Sequence, residues 1–271
     1  MGSPYVEYPR GSGGSGGNGS FIGTPRGAVD LAAISEAWDL MKANWSPYAL
    51  TMLLVGIANF AITFVVKMPF AVSQAVLQDK INDPAALIAI QLPGMLVQQV
   101  VSSLLTGIIL GGFANMTLVT LRGGQASFND FMKVFSKAHL FMLFGLLYTF
   151  FTLLGVIGLC VGSIVVAGLL MFSAMFMVDR EMGPWDAIKA SFNALKGEWL
   201  MAGVFYFVAY LIALLGILAC GVGILFTAPM AMLAVTICYR DVVYVGMNSY
   251  APSTPMSPPP SEAPTEPPVD Q

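Results

Sequence analysis

The sequence predicts an all-α fold, a polytopic transmembrane helical bundle of about six spans. Hydrophobic residues make up 56% of the chain and charged residues only 10%, whereas a soluble domain has roughly half apolar and about a quarter charged residues. Both ends of the chain are polar, and the apolar residues are concentrated in its middle part. This middle part therefore has the composition of a protein whose solvent is lipid.

Two long stretches without any charged residue predict four of these spans. They run from Leu140 to Val178 and from Leu200 to Tyr239. As a single helix, a stretch of about 40 residues would be roughly 60 Å long, twice the ~30 Å hydrocarbon core of a bilayer. Each stretch must therefore cross twice, and we expect the turns within the glycine-rich segments 155–162 and 216–223.

Two further spans are predicted upstream. The first runs from about Ala49 to Val66, and the second lies within Met95 to Leu121. Lys67 and Pro69 end the first span in this prediction. The segment 70–86 between the two spans then forms an amphipathic helix or a loop on the far surface.

The composition divides the chain into a membrane domain and two tails. Residues 1–30 are rich in Gly and Ser and predict a disordered tail. Residues 31–245 form the predicted six-span domain. Residues 246–271 are rich in Pro and predict a second disordered tail with local polyproline II character. Whether this second tail also serves as a ligand for a proline-binding module is left open.

Basic residues predict the orientation, because they concentrate in cytoplasmic loops. If the amino terminus is cytoplasmic, ten of the twelve Lys and Arg residues lie on the cytoplasmic side. Both tails are then cytoplasmic. The ten residues are Arg10, Arg26, Lys42, Arg122, Lys133, Lys137, Arg180, Lys189, Lys196 and Arg240, and the two on the far side are Lys67 and Lys80.

Three similar segments precede the three pairs of spans and predict a pseudo-threefold repeat. They are residues 34–45, 127–137 and 184–199. Trp38, Lys42 and Trp45 in the first have the same spacings as Phe192, Lys196 and Trp199 in the third. Aromatic and basic residues at such spacings are typical of an amphipathic helix in the headgroup layer. We therefore expect three interfacial helices, each followed by two spans.

Several function classes lack support in the sequence. The net charge of −3 gives no basis for nucleic-acid binding. No Asp, Glu, Lys, Arg or His lies deep inside a predicted span, so proton relays and ion-coupled transport are disfavoured. The sequence shows no metal-ligand pattern and no set of catalytic residues, so we expect neither cofactor nor enzyme activity. Cys160 and Cys220 fall in the two predicted turns, and whether they pair is left open.

Asn59 and Asn115 are the most polar residues inside the predicted spans apart from hydroxyl side chains. They could line a cavity that holds a polar substrate, although hydrogen bonding between helices is the commoner role of such residues. Gly107 and Gly111 form a pair at the spacing that permits close helix contact. This pair favours packing within the chain and leaves a homo-oligomer open.

The densest charged cluster follows the predicted fourth span. It could be a cytoplasmic docking site for a protein or a lipid headgroup, although a solvated loop with local ion pairs is the commoner case. Its members are Asp179, Arg180, Glu181, Asp186 and Lys189.

Three motifs carry a resemblance to a known group of proteins. They are the segment Asp179–Ser191, the segment Ala37–Trp45 with its two tryptophans, and the closing Tyr239-Arg-Asp241. Over roughly residues 33–244 the chain resembles bacterial polytopic membrane proteins that include the membrane domain fused to some glycerophosphodiester phosphodiesterases. The resemblance implies a bacterial inner-membrane location. The phosphodiesterase activity does not carry over, because the catalytic domain has no counterpart in this sequence.

Two functional hypotheses follow from the sequence. The first is a scaffold or a regulatory membrane component that docks a protein partner on its cytoplasmic face, where every sizeable polar element is predicted to lie. The second is a permease or lipid-handling protein with a cavity near Asn59 and Asn115. Membrane lipid is the one partner that both hypotheses require.

Overall fold

A computed structural model of the chain describes residues 25–78, 84–157, 159–218 and 223–244. These residues contain α-helices, two short 3₁₀ helices and no strand. The α-helices are α1 (Ala32–Gln78), α2 (Pro84–Leu121), α3 (Phe128–Met132), α4 (Ala138–Ile157), α5 (Leu159–Leu170), α6 (Ser173–Asp179), α7 (Pro184–Leu195), α8 (Trp199–Leu218) and α9 (Ile224–Val243).

Six helical segments are long and apolar enough to cross a membrane, in agreement with the predicted number of spans. Both charge-free stretches break where glycines predicted a turn. Helix α4 ends and α5 begins within the first glycine-rich segment, and α8 ends within the second, directly after which α9 begins. The segments are Ala32–Ser73, Gln91–Leu121, Phe128–Val156, Gly162–Asp179, Pro184–Gly216 and Ile224–Val243.

Six of the helices form a closed ring of three helical hairpins. The hairpins are α1–α2, α4–α5 and α8–α9, and within each hairpin the two helices pack against each other. Between hairpins, α2 packs on α4, α5 packs on α8, and α9 packs on α1. The short helix α6 packs on α2 inside this arrangement. The predicted sequence repeat and the headgroup location of three interfacial helices stay predictions.

The first helix is longer than the sequence predicted. It includes the predicted surface segment at its start and continues through Lys67 and Pro69 to Gln78. Pro69 removes one helical hydrogen bond, but the helix continues beyond it. At Asn44 the backbone leaves the helical conformation, and the Asn44 side chain donates to the carbonyl of Leu40 at 3.2 Å. The carbonyl of Leu40 therefore has a side-chain donor at the kink.

Helices α2 and α4 touch through glycine. A Cβ atom on Gly107 would collide with the carbonyl oxygen of Phe141 and with the backbone of Gly145. Only glycine permits this close approach. The contact also shows that Gly107 packs against a helix of its own chain. Gly111 also lies against α4, at the ring of Phe141.

Most of the charged residues lie at one end of the bundle, which we call the charged end. It consists of the residues before α1 with the first turns of α1, the carboxyl ends of α2, α6 and α9, and the segments that precede α4 and α8. Residues 25–30, assigned to the tail by composition, are docked here: Val29 is buried and its N–H donates to Glu198. The rest of the two predicted tails, residues 1–24 and 246–271, lies outside the described residues.

Candidate functional site

A cavity of about 260 Å³ lies in the middle of the helical ring. All six helices of the ring contribute to its wall, together with α6. Its lining residues are Met52, Ile109, Leu110, Phe113, Phe144, Tyr148, Leu170, Met171, Ala174, Tyr206, Ala209, Tyr210, Ala213, Ala228, Pro229, Ala231, Met232 and Val235. None of these residues is ionisable except the three tyrosines, so the cavity is suited to an uncharged occupant.

The three tyrosines supply the polar side-chain atoms of the cavity wall. The hydroxyl groups of Tyr148 and Tyr206 are 3.3 Å apart and share a hydrogen bond between α4 and α8. One of the two hydroxyls is the donor in this bond, and the other keeps its own proton for a second acceptor. The pair can therefore donate one further hydrogen bond to a molecule in the cavity.

The cavity lies at the depth of the membrane interior. On α9 its lining extends from Ala228 to Val235, and Arg240 at the charged end follows Val235 by five residues. At 1.5 Å per residue the cavity lies roughly 8 to 18 Å from the charged end. Pro229 belongs to this part of the wall and leaves the carbonyl of Leu225 without its helical N–H donor.

An ion-pair network at the charged end connects α1 to α9. Arg240 donates to both carboxylate oxygens of Glu36, at 2.6 and 3.1 Å, and to Asp241 at 2.7 Å. Arg26 donates to Asp241 at 2.9 Å and to Glu36 at 3.0 Å. Two cations thus face two carboxylates, which satisfies the side chain of Arg240 although it is completely buried.

A second buried carboxylate connects α2, α6 and α9. Asp179 accepts hydrogen bonds from Tyr239 at 2.8 Å and from Tyr244 at 2.5 Å, and it pairs with Arg122 at the end of α2. Arg122 is placed by a helix cap in which Gly123 has a φ of 78° and the N–H of Gly124 donates to Val119. Asp179 therefore holds three helix ends together.

The environment of Tyr244 raises its pKa to about 12, first through burial and then through the negative charge of Asp179. The phenol therefore remains a neutral donor to Asp179 at physiological pH. The guanidinium of Arg180 lies over the ring of the same tyrosine, 5.3 Å from its centre. These contacts give the charged end a closed, mutually satisfied polar layer.

The structure separates the two asparagines that the sequence singled out. Asn115 donates to the backbone carbonyl of Asp130 at 2.7 Å and so joins α2 to α3. Asn59 is exposed on the outer surface of α1, beside Phe60. The hydroxyl of Tyr48 donates to the carbonyl of Met116 and so connects α1 to α2. Asn59 lies about 16 Å further along α1 than this contact. Neither asparagine lines the central cavity.

The predicted docking cluster divides into a buried and an exposed part. Asp179 and Arg180 are buried in the polar layer described above. Glu181 is half exposed, has a φ of 51° and pairs with Lys137 at 3.0 Å. Asp186 and Lys189 are exposed on α7 and lie 3.5 Å apart.

Cys238 is buried with a free thiol, whereas the side chains of Cys160 and Cys220 lie outside the described part of the chain. Among the described residues, no group of three or more His, Cys, Asp or Glu side chains is placed to hold a metal ion.

Sequence reasoning did not identify the cavity tyrosines or the pairing of Glu36 with Arg240. A signal for the tyrosines was available, because Tyr148, Tyr206 and Tyr210 all lie inside charge-free stretches, where a buried hydroxyl normally needs a partner. The pairing of Glu36 with Arg240 had no local signal, since the two residues are 204 positions apart.

Comparison with known proteins adds no relative. No family model matches the chain, and neither a curated protein nor a solved structure matches it at a significant level. The resemblance to the membrane domain of some phosphodiesterases therefore stays a prediction from the motifs.

Proposed function

We propose that this protein is a non-enzymatic integral membrane protein that binds an uncharged, single-chain lipid-derived molecule in its central cavity. This is the lipid-handling hypothesis, with the site at the three tyrosines instead of near Asn59 and Asn115. The observation that carries the proposal is the cavity itself, to whose wall six helices contribute and which is lined almost entirely by apolar side chains.

The size of the cavity limits the occupant. A cavity of 150 Å³ holds benzene, so about 260 Å³ accommodates roughly ten carbon atoms. This is part of an acyl or isoprenoid chain and much less than a whole phospholipid. The proposed ligand is therefore a single chain or the end of one.

The chemistry of the wall limits the polar group of the occupant. Without a charged side chain in the wall, a carboxylate or an ammonium group would be desolvated at high cost. A hydroxyl or carbonyl oxygen can instead accept the free hydrogen bond of the Tyr148–Tyr206 pair. We therefore favour a neutral alcohol, aldehyde or ester.

The route into the cavity follows from what surrounds it. The polar layer of Glu36, Arg240 and Asp179 covers the charged end with satisfied ion pairs. Tyr210, by contrast, lines the cavity and is 54% exposed on the outside of α8. An apolar molecule would therefore enter sideways from the lipid, which favours a lipid-binding protein over an aqueous permease.

Binding of a defined probe tests this proposal. We expect the purified protein in nanodiscs to bind 1-naphthol saturably, with naphthalene as the analogue that lacks the hydroxyl. The double variant Tyr148→Phe with Tyr206→Phe removes both hydroxyls of the pair, so it should weaken 1-naphthol binding about fivefold, the effect of one hydrogen bond of ~1 kcal/mol, and leave naphthalene binding unchanged. Equal effects on both probes, or no saturable binding of either, would contradict the proposal.

The scaffold hypothesis is the second candidate, supported by the exposed part of the predicted docking cluster. Glu181 has a left-handed backbone conformation, which is uncommon outside glycine, and Asp186 and Lys189 beside it are exposed. A partner would bind this face. Gentle crosslinking in native membranes should then capture a stoichiometric protein that is lost in a Glu181→Ala variant, and its absence would eliminate the scaffold.

A bacterial inner membrane and cytoplasmic termini are part of the same proposal. Support comes from the basic residues, nine of which lie at or near the charged end within the described ranges. In a variant without native cysteines, single cysteines at Ser127 and Ser253 should resist an impermeant thiol reagent in intact cells. A cysteine at Asp83 should react, and the opposite labelling pattern would invert the orientation.

A further inference from the structure

A second cavity lies apart from the first, in a groove between α7 and the α4–α5 hairpin. It measures about 380 Å³. Its floor is apolar and consists of Phe151, Val166, Leu169 and Leu170, while α7 closes the other side. Ser191 fixes α7 in this position, because its hydroxyl donates to the carbonyl of Leu169 at 2.7 Å and accepts from the N–H of Phe172 at 3.2 Å. The groove is therefore a built feature of the fold.

The rim of this groove is basic. Lys189 and Asn193 line it from α7, and Lys196 donates to the Asn193 side chain at 3.2 Å. These three positions recur at helical spacing, so they follow one face of the helix. Asp186 offsets one charge, but its contact to Lys189 is long and both side chains are exposed. One net positive charge remains, together with the amide group.

The surroundings of the rim match the boundary between lipid chains and headgroups. Trp185 stacks on Phe151 of the groove floor, with ring centres 6.0 Å apart, and its outer face is exposed. The ammonium of Lys189 lies over the ring of Trp185, 5.3 Å from the ring centre. Tryptophan beside lysine over an apolar surface is typical of the membrane interface.

We propose that the α7 groove is a binding site for an anionic glycerophospholipid. One acyl chain occupies the apolar floor between α4, α5 and α7, and the phosphate lies against Lys189, Asn193 and Lys196. The charge at the rim selects an anionic over a zwitterionic headgroup, and the closed apolar floor distinguishes a lipid from free phosphate. This site is independent of the central cavity, with which it shares only Leu170.

The chain offers a matched control for Lys189. Lys42 is equally exposed, pairs with an acid three residues before it at 2.9 Å, and lies over Trp38. Lys189 has the same three features with Asp186 and Trp185. Only Lys189 lines the groove, so a comparison of Lys189→Gln with Lys42→Gln removes the general effect of a surface lysine.

Native mass spectrometry with dioleoylphosphatidylglycerol and dioleoylphosphatidylcholine tests the site. We expect wild type to retain phosphatidylglycerol preferentially, and Lys189→Gln to weaken its retention about fivefold, with Lys42→Gln within about twofold of wild type. Val166→Phe should block the groove, and Lys196→Gln provides a milder variant that leaves the floor intact. The cavity variant Ala209→Phe should leave phosphatidylglycerol bound, which separates this site from the proposed function.

Two results would overturn the proposal. One is equal retention of the two phospholipids by wild type, which would mean that the groove takes a neutral lipid or a protein segment. The other is an equal loss in Lys42→Gln and Lys189→Gln, which would mean that the attraction belongs to the surface charge as a whole.

Discussion

The guanidinium of Arg240 is completely buried and donates two hydrogen bonds to the carboxylate of Glu36, at 2.6 and 3.1 Å. The first helix and the last helix of the ring are thereby held together at the charged end. The ring encloses the cavity only if these two helices remain in contact. The cavity therefore depends on the ion pair between Glu36 and Arg240, although neither residue lines it.

Loss of Arg240 should destabilise the fold. Arg240→Met leaves the carboxylates of Glu36 and Asp241 without their buried cation, which should cost about 3–5 kcal/mol in the free energy of unfolding. Lys42→Met removes an exposed pair and should cost less than about 1 kcal/mol. Unfolding in mixed detergent micelles measures both, and similar losses would show that the buried network does not stabilise the ring.

Tyr244 should make stability fall at high pH. Its pKa is about 12 in the folded protein and close to 10 in the unfolded chain. Between these values the unfolded state loses the proton first, so stability falls as pH rises through this window and is unaffected below it. Tyr244→Phe should flatten this part of the profile, measured as the difference from wild type. A constant difference at all pH values would contradict the assignment.

The contact between α2 and α4 should tolerate no side chain. Gly107→Leu would place atoms inside the backbone of α4, so we expect a loss of at least about 2 kcal/mol in stability or failure to fold. Gly56→Leu is the control, because no atom lies within 4 Å of its Cβ position. Its effect on stability should be small or favourable. Equal tolerance of both changes would mean that the helices do not meet at Gly107.

The two asparagines should respond differently to replacement by leucine. Asn115→Leu removes the hydrogen bond between α2 and the carbonyl of Asp130 in α3 and should cost about 1 kcal/mol in stability. Asn59→Leu changes an exposed position on α1 and should leave stability and 1-naphthol binding unchanged. A loss of probe binding in Asn59→Leu would instead support the original location of the cavity.

The sequence predicts where the helices of this protein lie along the chain, but not which face of each helix points to the cavity and which to the lipid. The charge-free stretches and their glycines indicate where the chain turns, because lipid requires each crossing to be apolar and about 20 residues long. The cavity has no comparable signal. Val204 and Ala209 on α8 are both apolar, yet the first is exposed and the second is buried beside the cavity. In a membrane, the lipid-facing and interior surfaces of a helix differ too little in hydropathy to be told apart.

The polar contacts at the charged end could not be predicted from the sequence either. Asp179 and Arg180 form a charged cluster in sequence that resembles a solvated loop, but Arg122, Tyr239 and Tyr244 bury it. These partners come from distant parts of the chain. Only the packing of α2 and α9 around α6 brings them together. Nothing in the sequence near Asp179 therefore indicated that this residue is buried and not part of an exposed docking site.

Native mass spectrometry of the protein taken gently from its own membranes tests the central claim most directly. We predict that wild type and Val204→Phe retain one small neutral lipid-derived molecule, whereas Ala209→Phe, which fills the cavity from the same helix, and the milder Ala213→Leu lose it. All variants should first show an unfolding transition near that of wild type. A small neutral molecule that Ala209→Phe retains as well as wild type does, or a stoichiometric protein partner and no small molecule, would contradict the account.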